Sequence, residues 1–385
     1  MRRIMIISYH FPPIGLAGSV RWTKFSKYLS QFGYEPIILS VKPICYYFYD
    51  YDLLDEVAGV KVFRSESLDP ARIFYQFLGK KRVSPDITRS SVQIHKLMFP
   101  DAKSGWVPFA YNLGCRVIRQ ERPDMLLATA PPYSSLLVGL LLKKLFKLPL
   151  VLEFRDPWPT SIFPPGGYQR MLLEALRRKL FTAADQIIAV SKEVKGDLGV
   201  DAQVISHGFD PDDYLGGTGD EGLVHIGVTY EYEPELEKFI SIISKQSNVR
   251  FTLIGSTSPR IERLINTTSN CKFIGALSHK EVMSYLQKAE ILVYFFARQG
   301  EYLTSKFYEY LGAGRPILAI SGQEDQIQKS VGRFGVGWTV SLKAELITFA
   351  INKIHDLENR DQVGIEQYSF QNLTRRLIET INSIL

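Results

Sequence analysis

Cysteine is scarce in this chain: Cys45, Cys115 and Cys271 are the three in 385 residues. They are scattered and lack metal-ligand spacing, which excludes a disulfide framework and a zinc site and predicts reduced, buried thiols. The six histidines also fall at no metal-ligand spacing, and no Ser-His-Asp order or cysteine nucleophile can be argued. The most apolar stretch, Leu136 to Leu152, is interrupted by Lys143, Lys144 and Lys147 and makes a poor membrane span. Met-Arg-Arg at the start precedes only four apolar residues, too short for a secretory core, so a cytoplasmic location is expected. There is no low-complexity run and no short-period repeat. With 22% charged and 45% apolar residues, the chain does not have the composition of a disordered one.

A length of 385 residues exceeds what one core usually organises, so two domains are expected. The net charge of +6 hides an asymmetry: residues 1–200 carry 28 Lys and Arg against 17 Asp and Glu, and the remainder 18 against 23. A basic half suits an anionic partner. No nucleic-acid module and no basic run with interleaved aromatics is found, so nucleic acid is not expected. From Gln169 to Phe181, Arg170, Arg177, Arg178 and Lys179 surround Met171, Leu172, Leu173, Leu176 and Leu180. That segment suits an anionic membrane surface, or equally a core helix with a solvated basic face.

The order of elements predicts two runs of alternating strand and helix. Arg3 to Ser8 reads as a strand, and Trp22, Phe25, Leu29 and Phe32 recur at helical spacing until Gly33. Glu35 to Val41 reads as the next strand, which makes a βαβ opening. Its loop carries Gly15 and Gly18 spaced Gly-x-x-Gly, with no acid at the end of the second strand, so it is not a dinucleotide fingerprint. Further strands are expected at 125–129, 150–154 and 186–190. After a turn-rich passage, His207-Gly208-Phe209-Asp210-Pro211, more follow at 224–228, 250–254, 272–274, 291–294, 316–320 and 338–340. Residues 43 to about 105 show little clean period and take no assignment. The expected architecture is α/β, two doubly wound Rossmann-like domains facing a central cleft. Residues 1–205 form the first and 206–365 the second, with a last helix at 366–385 packing back on the first.

The segment Glu301-Tyr-Leu-Thr-Ser-Lys-Phe-Tyr-Glu309, continued by Tyr-Leu-Gly-Ala-Gly-Arg-Pro-Ile-Leu, places two carboxylates eight residues apart around a helix start. Thr304 or Ser305 can cap that helix, and its free N–H groups form an anion site to which Lys306 adds a full charge. Two Glu at this spacing alone usually mark a solvated face. The flanking Ser-Lys-Phe and Glu-Tyr-Leu-Gly-Ala-Gly change that reading: the segment resembles the EX7E signature of retaining GT-B glycosyltransferases of the family-4 type. Tyr9-His10-Phe11-Pro12-Pro13 with Gly18 and Arg21, Ala130-Pro131-Pro132-Tyr133, Phe154-Arg155-Asp156-Pro157-Trp158 and Phe273-Ile274-Gly275 resemble other motifs of the family in order. So does Ala189-Val190-Ser191 with His207-Gly208-Phe209-Asp210, where the family more often has Asn before the Gly.

The resemblance implies a GT-B fold and transfer of a sugar from a nucleotide-sugar donor, UDP- or GDP-linked, to a glycan or lipid-linked acceptor in bacterial surface polysaccharide synthesis. The transition state is oxocarbenium-like, and charge on the departing diphosphate is met by preorganised donors, with no bound metal. By that likeness Lys306 and the amides of Thr304 to Lys306 neutralise the diphosphate, Gly15 and Gly18 close from the first lobe, and Glu309 receives the ribose hydroxyls. Glu301 orients the hexose, backbone at Ile274, Gly275, Ala276 and Leu277 meets the base, and Arg155 with Asp156 contacts sugar or acceptor. His10 in the first loop is read mainly as loop packing, and Asp210-Pro211-Asp212-Asp213 as a structural turn instead of a metal motif. Two departures stand out. Arg155 occupies a position where many relatives carry His, although an Arg-Asp-Pro-Trp subgroup exists. After Gly227 the chain reads Val-Thr-Tyr-Glu-Tyr-Glu-Pro where the family commonly has Gly-Arg and then Lys-Gly, so Lys306 and Arg298 are expected to take over the neutralising role. The alternatives are a nucleotide-sugar epimerase of the same fold and a non-catalytic sugar-nucleotide-binding protein.

Overall fold

A computed structural model of the chain describes residues 1–15, 17–46, 48–78, 98–159, 166–214, 216–217, 219–296, 303–321, 326–353 and 364–385. These divide into two compact units, Met1–Ser206 with Leu373–Leu385, and His207–Asn372.

In the first unit seven parallel strands lie in the order β3-β2-β1-β4-β5-β6-β7. They are β1 Arg2–Ile7, β2 Tyr34–Val41, β3 Lys61–Ser65, β4 Met125–Ala130, β5 Leu150–Phe154, β6 Gln186–Ala189 and β7 Gln203–Val204. The helices are α1 Ala17–Gln31, α2 Asp52–Asp55, α3 Pro70–Leu78, α4 Val107–Glu121, α5 Ser134–Phe146, α6 Gly167–Ala183 and α7 Lys192–Leu198. Strands covered by helices on both faces read as near-continuous apolar runs, and β1, β4 and β5 are buried along nearly their whole length. The second unit holds six parallel strands in the order β10-β9-β8-β11-β12-β13. These are β8 Leu223–Val228, β9 Phe251–Ser256, β10 Cys271–Ile274, β11 Ile291–Phe295, β12 Ile317–Ile320 and β13 Gly337–Val340. Its helices are α8 Glu233–Ile243, α9 Pro259–Asn266, α10 His279–Lys288, α11 Ser305–Ala313, α12 Gln326–Phe334 and α13 Ala344–Lys353. A last helix, α14 Phe370–Asn382, ends in the first unit, where Tyr34 Oη donates to Asn382 at 2.9 Å and Arg376 donates to the Val204 carbonyl at 2.7 Å.

The predicted strands all appear within a residue or two of their expected bounds. The unassigned region contributes β3, α2 and α3, and β7 was not expected. Cys45 and Cys115 are buried free thiols, while Cys271 is partly exposed, contrary to expectation, because it opens the edge strand β10.

The first unit is pinned by a buried ion pair. Glu153, midway along the apolar β5, accepts from Arg21 at 2.8 Å, from Trp22 Nε1 at 2.8 Å and from Thr129 Oγ1 at 2.6 Å. Arg21 also donates to the carbonyls of Ile205 and Ser206 at 2.9 and 2.6 Å. Burial alone would raise the Glu153 pKa, but Arg21, Thr129 and Arg155 together hold it below the usual range. Side chains of α1 and β4 thus converge on one carboxylate of β5, and Arg21 ties in the segment after β7. Glu153→Ala leaves Arg21 buried without its counter-charge and is expected to destabilise the protein by about 3–5 kcal/mol, read as a lowered midpoint in urea unfolding followed by circular dichroism.

Candidate functional site

In each sheet the chain order reverses at one place, between β1 and β4 in the first unit and between β8 and β11 in the second. At such switch points the connections leave in opposite directions and open a crevice at the carboxyl ends of the strands. In the second unit the β8–β11 ladder runs only through Ile291↔Leu223 and Leu292↔Val224 before the strands part. Side chains bridge the gap. His225 Nδ1 lies 2.7 Å from the Val293 carbonyl, Tyr310 Oη donates to that carbonyl at 3.2 Å, and the Ile226 amide donates to Tyr310 Oη at 3.1 Å.

Helix α11 begins at this crevice. Thr304 is its N-cap residue but makes no side-chain cap bond, and its hydroxyl pairs with Tyr294 Oη at 3.1 Å. The expected cap is therefore not made by Thr304, and that hydroxyl anchors the turn to β11. Phe307, Tyr308, Tyr310 and Leu311 form the buried stripe, and the helix stops at Gly314, whose φ is +66°. Ser305 and Lys306 occupy the first turn. Lys306 is largely buried and extends back to β8, where its Nζ lies 3.2 Å from Tyr232 Oη and 3.5 Å from His225 Nε2. A Cβ on Gly227 would come within 3.0 Å of Lys306 Cε and Nζ, and Gly227 has φ +111°. Only glycine accommodates both conditions. Burial lowers the Lys306 pKa to about 8, against the raising influence of Glu309 and Glu231.

Glu309 lies one turn further on, partly exposed, and its backbone carbonyl accepts from Tyr214 Oη at 2.7 Å. Ile274, Gly275, Ala276 and Leu277 leave the carboxyl end of β10 as a loop in which Gly275 and Ala276 are exposed. Asp210 caps a 3-10 turn at Pro211–Asp213 by accepting the Asp212 amide at 3.1 Å, in keeping with its reading as a turn residue. Glu301 and Arg298 lie outside the described residues.

The first unit gathers the remaining predicted residues at its own switch point. Arg155 follows β5, is buried, and donates to the Pro131 carbonyl after β4, while its Nε has no partner among the described residues. Its guanidinium abuts the first turn of α1, where a Cβ on Gly18 would lie 2.3 Å from Nη1. Burial lowers the Arg155 pKa, and Glu153 and Asp156 resist the shift. The Gly15 amide donates to the Phe48 carbonyl at 3.1 Å, and the Phe48 ring covers its α-carbon. His10 packs edge-on to Tyr9 and tilted against Tyr46, and burial with the charges of Lys103 and Arg155 drives its pKa down to about 3.

Sequence reasoning missed His225 and Tyr232. The available signal was a histidine inside an otherwise apolar strand, Leu-Val-His-Ile-Gly-Val. In α6, Leu173, Leu176 and Leu180 are buried and serve the core, while Arg170, Arg178 and Lys179 are exposed. No helix among the described residues is long and apolar enough to cross a membrane.

The family model for Glycosyltransferase Family 4 matches residues 19–213, and that for Glycosyl transferases group 1 matches residues 224–352. No curated protein matches the sequence. Among solved structures the chain is similar to sucrose-phosphate synthase from Thermosynechococcus elongatus, with TM-score 0.69 and 13% identity over 100% of this chain and 99% of that one. It is also similar to Anabaena HepE in complex with UDP-glucose, with TM-score 0.65 and 13% identity over 100% of both chains. A glycosyltransferase from Rickettsia africae gives TM-score 0.63 and 14% identity over 100% and 98%. At these identities the likeness is one of fold, and the two parallel-sheet units are those of the GT-B glycosyltransferases.

The folded protein holds the Lys306 proton less tightly than the unfolded chain does. Between pH 8 and the ordinary lysine range the unfolded state therefore binds more protons, and stability rises with pH through that window. Lys306→Met removes the burden: thermal unfolding at pH 7 should show a melting point raised by a few degrees, and the rise should shrink as the buffer is taken from pH 8 to pH 10.

Proposed function

Since the chain belongs to Glycosyltransferase Family 4, we propose that it is a retaining enzyme that moves a hexose from a UDP- or GDP-linked donor to a glycan or lipid-linked acceptor in bacterial cell-surface polysaccharide synthesis. The observation that carries this reading is the Lys306 ammonium, largely buried in the β8–β11 crevice beside the first-turn amides of α11. A desolvated cation at a helix N-terminus is a site for phosphate oxygens, and HepE, similar in fold, is seen with UDP-glucose.

In this reading the bond between the sugar C1 and the diphosphate breaks as an acceptor hydroxyl attacks. Negative charge accumulates on the departing nucleoside diphosphate. Lys306 and the amides around Thr304 and Ser305 meet that charge in a site of low polarity, where fixed donors act most strongly, and the step as proposed needs no metal. Glu309 accepts hydrogen bonds from the ribose, Glu301 orients the hexose, Arg298 supplies a second cation, and the loop Ile274 to Leu277 lies along the base. Arg155 and Asp156 serve the transferred sugar or acceptor, and Gly15 and Gly18 the departing diphosphate. Membrane contact uses the outer face of α6, where Arg170, Arg178 and Lys179 are exposed with Tyr168 and Met171, 71% and 57% accessible.

Purified protein incubated with UDP- and GDP-sugars and an acceptor panel is expected to release nucleoside diphosphate only when acceptor is present, with the donor's anomeric configuration kept in the product by NMR. Lys306→Met should lower turnover by about a hundredfold or more; an unchanged rate refutes the role given to Lys306. Interconversion of two sugar nucleotides without acceptor would identify an epimerase, and donor binding without turnover a binding protein. In a separate assay, Arg170→Glu with Arg178→Glu should abolish sedimentation with phosphatidylglycerol vesicles at low salt while leaving transfer to a soluble acceptor intact.

A further inference from the structure

Lys306 is an unusual buried cation in the company it keeps. Among the described residues its ammonium meets neutral groups alone: Tyr232 Oη at 3.2 Å, His225 Nε2 at 3.5 Å and the face of the Tyr232 ring, 5.5 Å to its centroid. Glu309 and Glu231 influence it through space. A lysine side chain loses much rotamer entropy when fixed, so an ammonium that is to meet a ligand in one place must be held there by something. A carboxylate would hold it but would also cancel its field and compete with phosphate. Neutral acceptors hold it and leave the charge intact.

The protons can be assigned. The Val293 carbonyl can only accept, so the hydrogen on His225 lies at Nδ1, 2.7 Å away, and Nε2 presents a lone pair. His225 is fully buried, and burial with the Lys306 charge keeps its pKa well below the ordinary value, so the ring stays neutral. Tyr232 has one hydroxyl proton and two acceptors in reach, His225 Nε2 at 2.8 Å and the Val228 carbonyl at 2.9 Å. Lys306 donates to Tyr232 Oη and to whatever Nε2 capacity remains. Among the described residues at most two of its three N–H groups are engaged, which leaves the third and the full charge for a ligand. The holder is rigid: the Tyr232 ring stacks on Phe295 at 5.3 Å and 10°, and Phe239 packs edge-on behind Phe295.

We infer that Tyr232 and His225 are positioning residues for the transfer, a neutral cradle that aims the Lys306 ammonium across Gly227 at an incoming diphosphate without neutralising it. This rests on the reading that Lys306 meets the donor diphosphate. The cradle joins β8, the start of α8 and the first turn of α11 at the crevice.

Tyr232→Phe removes the hydroxyl and keeps the stacked ring. His225→Asn keeps an N–H for Val293 and removes the reach of Nε2. Calorimetry with UDP and GDP, each against its nucleoside, separates the diphosphate contribution from that of the base. Each variant is expected to bind the diphosphate about tenfold more weakly, the scale of one hydrogen bond to a charged group, with nucleoside affinity unchanged. The alkaline limb of kcat/KM, set by Lys306 near pH 8, should move to lower pH, because a cation that loses its acceptors gives up its proton more easily. If Lys306→Met loses diphosphate affinity while both cradle variants bind and titrate as the unsubstituted protein does, the cradle is overturned and the donor reading survives. If Lys306→Met binds either diphosphate undiminished, or neither diphosphate binds more tightly than its nucleoside, both fall together.

Discussion

Parallel pairing is the constraint from which the rest follows. Every strand in both sheets runs the same way, so each unit has all its carboxyl ends on one edge and helices cover both faces. The faces must then be apolar. Polar chemistry has one place left to gather, the edge where strands end and helices begin, and the switch point is where that edge opens. A carboxylate and an imidazole nevertheless sit inside apolar strands, Glu153 in Leu-Val-Leu-Glu-Phe and His225 in Leu-Val-His-Ile-Gly-Val. Glu153 stands on the strand next to the β1–β4 switch, and His225 on a strand that borders the β8–β11 one.

These two exceptions solve opposite problems. Glu153 is saturated by Arg21, Trp22 and Thr129, so its charge is consumed within the protein and what remains is cohesion between α1, β4, β5 and the segment after β7. His225 offers a neutral ring to a cation that has no carboxylate in contact among the described residues. A saturated ion pair fixes structure and projects little field, whereas an ammonium held by uncharged acceptors costs stability and keeps its field for a ligand. The difference can be read from the partners alone: a guanidinium with two neutral donors saturates Glu153, and phenol and imidazole hold Lys306.

Much of this was legible in the sequence because the signals are local. Strand runs such as Met125–Ala130 and Leu150–Phe154, the helix that starts at Ser305, and the turn through Gly314 each declare themselves within about ten residues. The edge strands β3 and β7 did not: β3 is only partly buried, β7 has two residues, and both depend on a neighbour for definition. The leucines of α6 were ambiguous for a related reason, since an amphipathic stripe looks alike whether it faces a core or a bilayer. The cradle was invisible because its members are 74 and 81 residues from Lys306 in sequence. No period or motif links residues so far apart; only the closure of the sheet brings them together.

The same geometry accounts for the departure after β8. Relatives of this type commonly place an Arg and a Lys there, whereas this chain has Tyr230, Glu231 and Tyr232 following Val228 and Thr229. Tyr230 Oη is engaged with Ser256 and the Thr257 carbonyl, Glu231 is exposed, and Tyr232 turns inward to Lys306. The cation arrives instead from α11 across the crevice, and it can do so only because Gly227 leaves open the volume that any side chain would fill. In the proposed reading, charge and helix-end amides both come from the first turn of α11. On that reading, a chain that lacks the usual pair after β8 still has a phosphate site, because the charge comes from α11 and Tyr232, in the segment where the cations are missing, holds it.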